Sequence, residues 1–260
     1  VLLSHEKKFI FIKTAKTAGT SIEYALASQL GESAIVTPQT GEEFPDQRYA
    51  RVTWCGPIKF LRHFKYFVSK GKLRGFLVDL IHDLLGRRGP VRSYYLANEY
   101  DHMTAAEIKA LIGESKFNEY FKVTVSRHPY ERAISLYFWR MYQRGVADPP
   151  QKISGFKEWL IDTPKSSLTT KRKVEIDGAL AVDFVIRYEH LAEDLAIVCE
   201  KLGLEYSKVS AVMKANRFKS NQRPKGPSGQ AKNLITPEIK EILDQDMEWE
   251  FKTFGYEKIL

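Results

Sequence analysis

A strand–turn–helix pattern occurs twice in this chain, over residues 9–30 and again over 121–138, and limits the folds open to it. In the first copy, Phe9-Ile10-Phe11-Ile12 is a short run of apolar, β-branched and aromatic residues, which predicts a strand. Lys13 to Ser21 follows as a turn of small residues carrying Lys13, Lys16, Thr17, Gly19, Thr20 and Ser21. Ile22, Ala25, Leu26 and Leu30 then fall on one face of a helix. The turn is therefore placed where backbone N–H groups converge at a helix N-terminus, with ammonium and hydroxyl groups beside them. That setting suits a phosphate or a sulfate. The alternative is a plain connection with a solvated Lys16. The strict nucleotide loop, Gly-x-x-x-x-Gly-Lys-Ser/Thr, is absent, which argues against an ATPase.

In the second copy Val123 and Val125 alternate with Lys122 and Thr124, and Ser126-Arg127-His128-Pro129 makes the turn, with Pro129 at the first helical position. Ser135 lies about two helical turns beyond Arg127. The arginine offers a rigid fork and the serine a neutral donor, so the pair can hold one phosphate from two sides. A ligand with two anionic groups would engage both turns.

These residues carry a family resemblance. Phe11-Ile12-Lys13-Thr14-Ala15-Lys16-Thr17-Ala18-Gly19-Thr20-Ser21 resembles the 5′-phosphosulfate loop of sulfotransferases that use 3′-phosphoadenosine 5′-phosphosulfate (PAPS). Val125-Ser126-Arg127-His128-Pro129-Tyr130-Glu131-Arg132, with Ser135 and Tyr137, resembles their 3′-phosphate site. The nearest likeness is to the branch acting on carbohydrates, and it extends to residues 183–203 and 216–256. The resemblance implies a three-layer α/β fold of the P-loop-NTPase-like kind, with a mostly parallel central sheet. It implies that Lys16, Thr17, Ala18, Gly19, Thr20 and Ser21 hold the 5′-phosphosulfate, Lys16 also assisting catalysis, and that Arg127 and Ser135 hold the 3′-phosphate. Arg223 and Lys225, in the basic loop over residues 214–232, correspond to residues that close over that phosphate.

His102 sits just before Thr104-Ala105-Ala106-Glu107, a capping-box signature followed by Ile108, Leu111 and Ile112 on one helical face. In some carbohydrate sulfotransferases the corresponding histidine is the catalytic base. Members commonly have Gly before it, where this chain has Asp101. His102 is the expected base, with an orienting or structural role as alternatives. Glu99 is the principal rival and His63 a further one.

At 260 residues and 43% hydrophobic content the chain is expected to form a single domain over residues 1–260. A formal charge of +8 favours an anionic partner. Cys55 and Cys199 do not make a disulfide framework, and the histidines show no metal-ligand spacing, so no metal is expected. No apolar run approaches the roughly 20 residues of a membrane span, and no leader is visible. Residues 56–92 interleave Lys59, Arg62, Lys65, Lys72, Arg74 and Arg87 with Phe60, Phe64, Phe67, Phe76, Leu80 and Leu84. This basic amphipathic stretch reads as an insert that selects the acceptor or rests on a membrane surface, or else as a helix packed on the core with wet lysines. Lys171-Arg172-Lys173 reads as a solvated patch or a contact for acceptor sulfate or carboxylate groups. Asp183 to Tyr188 predicts a strand, Leu191 to Leu202 a helix ending near Gly203, and Thr236-Pro237 the start of a closing helix.

The expected reaction is direct sulfuryl transfer from PAPS to a hydroxyl, foremost of a glycan, neutral or anionic, with a lipid head group or small alcohol as the alternative acceptor and no nucleic acid involved. A magnesium-dependent kinase and a non-catalytic polyanion-binding module are the competing readings. The absence of Asn-x-Ser/Thr suits a bacterial cytoplasmic enzyme, a trimmed Golgi lumenal domain being the alternative.

Overall fold

The computed structural model describes residues 1–37, 68, 102–146, 153–216 and 231–259. Glu99, Arg223, Lys225, Cys55, His63 and all of the 56–92 stretch except Val68 lie outside the described residues.

Five strands form one sheet. They are β1 (Leu2–Ser4), β2 (Phe9–Ile12), β3 (Ile35–Val36), β4 (Phe121–Ser126) and, further along the chain, Phe184–Arg187. Between the last two, β5 (Glu175–Ile176) and β6 (Ala179–Leu180) make a separate two-stranded ribbon, so Phe184–Arg187 is β7. The order across the sheet is β3-β1-β2-β4-β7. Only β2-β4 and β4-β7 are parallel; β1 runs antiparallel to both β2 and β3. The mostly parallel expectation is therefore corrected to a mixed sheet among the described residues. The reason is local: β1 and β2 are joined by the short turn of residues 5–8, which permits a hairpin but no crossover.

The two anion turns leave the same edge of the sheet. Ile12 pairs with Thr124, Thr124 with Val185, and Ser126 with Arg187. β2 is apolar at every position because both of its faces are covered. Phe9 and Phe11 pack with Ile22 and Leu26 of α1 (Gly19–Ala27), while Ile10 and Ile12 pack on the other side with Ile108 of α2 (Ala105–Ile112) and Phe117 of α3 (Glu114–Glu119). α4 (Pro129–Gln143) leads into a second helical core with α5 (Ile153–Asp162). The short helices α6 (Lys165–Leu168) and α7 (Lys171–Val174) follow, then α8 (Leu191–Leu202), α9 (Tyr206–Ala215), α10 (Ala231–Leu234), α11 (Pro237–Asp246) and α12 (Glu248–Phe254).

The predicted helix ends are present. Thr104 Oγ1 accepts from Glu107 N at 3.1 Å and Glu107 Oε2 accepts from Thr104 N at 2.7 Å, closing the capping box of α2. Pro129 and Pro237 occupy first helical positions, and α8 stops at Gly203 in the left-handed conformation. The closing helix is broken at Met247 into α11 and α12. No helix of the described residues is long and apolar enough to cross a membrane.

Candidate active site

The first turn is built around a buried lysine. Lys13, at the end of β2, is 1% exposed and its Nζ donates to Glu23 Oε2 at 2.8 Å on α1. Its stem fills the space beside Gly19: a Cβ there would meet Lys13 Cγ at 2.4 Å, so only glycine lets α1 start this close. Lys16 and Ala18 have φ of 66° and 63°, in the left-handed region, and together they swing the chain from strand to helix. α1 thus begins at Gly19, earlier than the apolar periodicity indicates, and places Gly19, Thr20 and Ser21 in its first turn. Ala18 gives the helix no side-chain cap. The first N–H groups of an α-helix have no partner within it, so this end is electropositive and suits an anion.

Hydroxyl groups tie this turn to β4. Thr14 Oγ1 donates to the Val125 carbonyl at 2.6 Å, Thr17 Oγ1 donates to the Thr14 carbonyl at 3.0 Å, and Thr124 Oγ1 donates to the Ile12 carbonyl at 2.8 Å. Thr17 is fully buried by these contacts, so its part is to shape the turn. Lys16 is half-buried, with its Nζ 5.6 Å from the centre of the Trp139 ring on α4.

The second turn presents Arg127 directly after β4. Its Nη2 donates to Glu131 Oε2 at 2.9 Å, and its guanidinium lies 4.5 Å over the Tyr188 ring, which follows β7. Its Nε is buried without a hydrogen-bond partner. A buried donor left unpaired is costly, and an anion reaching this corner would satisfy it. Ser135 is half-buried, in the second turn of α4. The turn itself is held from the C-terminal side. Ser126 Oγ and Tyr256 Oη are 2.8 Å apart, Tyr256 Oη donates to Glu189 Oε2 at 3.0 Å, and His128 N donates to Glu189 Oε1 at 2.8 Å. Burial, with the Glu189 carboxylate beside it, pushes the Tyr256 phenol well above its ordinary range. Arg187 makes a two-pronged pair with Asp194 at 2.9 and 2.7 Å, so both Arg187 and Glu189 act on structure.

His102 reaches the first turn from a distant part of the chain. Its Nδ1 is 3.3 Å from the Lys13 carbonyl oxygen. A carbonyl only accepts, so in this contact Nδ1 carries the proton, and in the neutral imidazole the lone pair is then on Nε2. The imidazole is therefore suited to taking a proton at Nε2 beside the anion turn. Its backbone has φ 60°, and its carbonyl accepts from Lys173 Nζ.

Of the residues singled out in the sequence, Lys16 to Ser21 and His102 come together at one turn, and Arg127 stands at the neighbouring strand end. Periodicity gave no sign of Glu23, Tyr188, Tyr256 or Lys173, because each meets the site through the tertiary fold. Among the described residues no group of three or more His, Cys, Asp and Glu is arranged to hold a metal ion.

A family model described as the sulfotransferase family matches residues 1–257, and the chain belongs to that family. No curated protein and no solved structure matches it.

Proposed function

We propose that this sulfotransferase-family protein transfers a sulfuryl group from PAPS to a hydroxyl of a carbohydrate, on a P-loop-NTPase-like sulfotransferase fold. One juxtaposition carries the reading. The uncapped N-terminus of α1 and the buried, unpartnered Arg127 Nε leave neighbouring parallel strands at the same sheet edge, with the His102 imidazole against the first of them.

The residues fit a ligand with anionic groups at two places. In this reading Lys16, the backbone N–H groups of Thr17, Ala18, Gly19, Thr20 and Ser21, and the hydroxyls of Thr20 and Ser21 hold the 5′-phosphosulfate, while the buried Thr17 hydroxyl shapes the turn. Arg127 and Ser135 hold the 3′-phosphate, and Arg223 and Lys225 close over it. PAPS, when bound, supplies the sulfuryl group, which bonds to the acceptor oxygen as the bond between sulfur and the 5′-phosphate oxygen opens. His102 Nε2 receives the acceptor's hydroxyl proton, and Lys16 with the helix N-terminus faces the growing charge on the phosphate. Glu99 is the alternative base. The chain acts as one domain, with residues 56–92 selecting an acceptor that carries its own negative charge.

The test is transfer of labelled sulfate from PAPS to a panel of unsulfated glycans, neutral and uronate-containing, in the presence of EDTA. Labelling of a glycan that is lost in His102→Ala supports the reading. Phosphate transfer from ATP that EDTA abolishes would replace it with a kinase.

A further inference from the structure

The backbone of His102 lies in the left-handed region at φ 60°, a conformation that a non-glycine residue keeps only where its surroundings fix it. Contacts grip the residue on both sides. Its ring meets the Lys13 carbonyl through Nδ1, and its own carbonyl accepts a hydrogen bond from Lys173 Nζ. The next residue, Met103, is 3% exposed in the core under β1 and β2.

Lys173 is in turn carried by a rigid support. It lies on α7, which packs beside α2 and whose Val174 is fully buried. Just ahead of α7, Thr169 Oγ1 and Thr170 Oγ1 donate to Glu250 Oε1 of α12 at 2.9 and 3.1 Å. Just behind it, Trp249 Nε1 donates to Glu175 Oε2 at 3.0 Å. The C-terminal helix therefore fixes the segment on both sides of Lys173, and Lys173 transmits that placement to His102.

We propose that Lys173 is a positioning residue for His102. By donating to the His102 carbonyl it holds the left-handed backbone that sets Nδ1–H on the Lys13 carbonyl, and so keeps Nε2 as the nitrogen with the lone pair. Without that grip the backbone relaxes, the ring leaves the carbonyl, and the imidazole drifts toward its commoner Nε2–H form, which cannot accept a proton at Nε2. The inference rests on the reading of His102 as the base.

Its test reads the tautomer directly. In protein labelled with nitrogen-15 at histidine, long-range proton–nitrogen correlation above the imidazole titration range shows which nitrogen of His102 is protonated. The wild-type protein is expected to show Nδ1–H, Lys173→Met to lose that signature, and Lys173→Arg to keep it. Lys173→Gln, too short to reach the carbonyl, repeats the test with a polar side chain should the Met variant fold poorly. An unchanged tautomer in both shortened variants, or Nε2–H in the wild type, overturns the inference. A second readout uses PAPS with an unsulfated uronate–hexosamine tetrasaccharide as probe acceptor. There kcat is expected to fall about a hundredfold in Lys173→Met, as for a misplaced catalytic group, and to recover in Lys173→Arg. Affinity for 3′-phosphoadenosine 5′-phosphate is expected to stay unchanged, and a parallel loss of that affinity would overturn the positioning role. Failure of the wild type to bind the bisphosphate would sink the donor assignment, while the tautomer spectrum would still judge Lys173.

Discussion

The imidazole of His102 and the carbonyl of Lys13 meet at 3.3 Å although 89 residues of chain separate them. The contact joins the residue that precedes α2 to the turn that opens α1, and it selects which ring nitrogen can accept a proton. Replacing His102 by Ala should lower the sulfuryl-transfer rate by about a hundredfold to ten-thousandfold, the range of a general base. Affinity for 3′-phosphoadenosine 5′-phosphate should stay within about twofold, because the turn's own hydrogen bonds to β4 remain. Steady-state kinetics with calorimetry on the same preparation checks both.

Gly19→Ala puts a methyl group 2.4 Å from Lys13 Cγ, and the lysine is held at its far end by Glu23. The clash should cost about 1–3 kcal/mol of stability, the usual range for overpacking, and disturb the first turn of α1. Urea unfolding should show a lower midpoint at an unchanged slope, together with weakened binding of the bisphosphate.

Arg127→Lys keeps the charge but removes Nε and the planar fork that stacks on Tyr188. It should weaken the bisphosphate by about tenfold, and Arg127→Ala by more, since a charge-assisted pair is worth about 1.5–3 kcal/mol. Equal affinities for the wild type and Arg127→Ala, measured calorimetrically, would separate Arg127 from the ligand.

Much of this architecture was legible in the sequence because its signals are local. The apolar run before Lys13, the Thr104–Glu107 capping box, Pro129 and Pro237 at helix starts and Gly203 at a helix end each act within a few residues of themselves. Strand direction was not legible. Leu2–Ser4 is too short to show a period, and its pairing with β2 and β3 turns half of the sheet antiparallel. The site divided in the same way. Lys16 to Ser21, Arg127 and His102 announce themselves through residue type beside a strand or helix end. Lys173 reads as one member of a basic triplet until the fold brings its Nζ to the His102 carbonyl. Lys13 reads as a turn cation until Glu23 is seen beneath it.

Cys199 is fully buried on α8, and burial pushes its thiol from 9.0 up to about 11. The native thiol should therefore resist a thiol reagent at pH 8 and react only on unfolding. The sign for stability follows from the raised value. The contribution is whole below pH 9.0 and is lost as pH rises through about 11, because the unfolded chain releases the proton first. Urea unfolding of the wild type and Cys199→Ala should show a steeper alkaline decline for the wild type over that window.

Glu250 is buried on α12, where it accepts from Thr169 and Thr170 and faces the buried Arg132 at 3.9 Å. Burial holds the Arg132 pKa below the ordinary guanidinium range, with Glu250 acting against that shift. Glu250→Ala strands these donors together with a charge and should cost about 3–5 kcal/mol, and Glu250→Gln less. Denaturant midpoints would rank the two variants, and a Glu250→Gln midpoint equal to the wild type's would show that the carboxylate's charge contributes nothing.

Calorimetric titration with 3′-phosphoadenosine 5′-phosphate tests whether the two turns form one site for a nucleotide phosphorylated at both the 3′ and 5′ positions. The expected result is saturable, magnesium-independent binding that Arg127→Ala and Lys16→Ala each weaken by about tenfold or more. Absence of saturable binding by the folded wild-type protein, or magnesium-dependent binding of ADP in its place, would show that the two turns do not form that site.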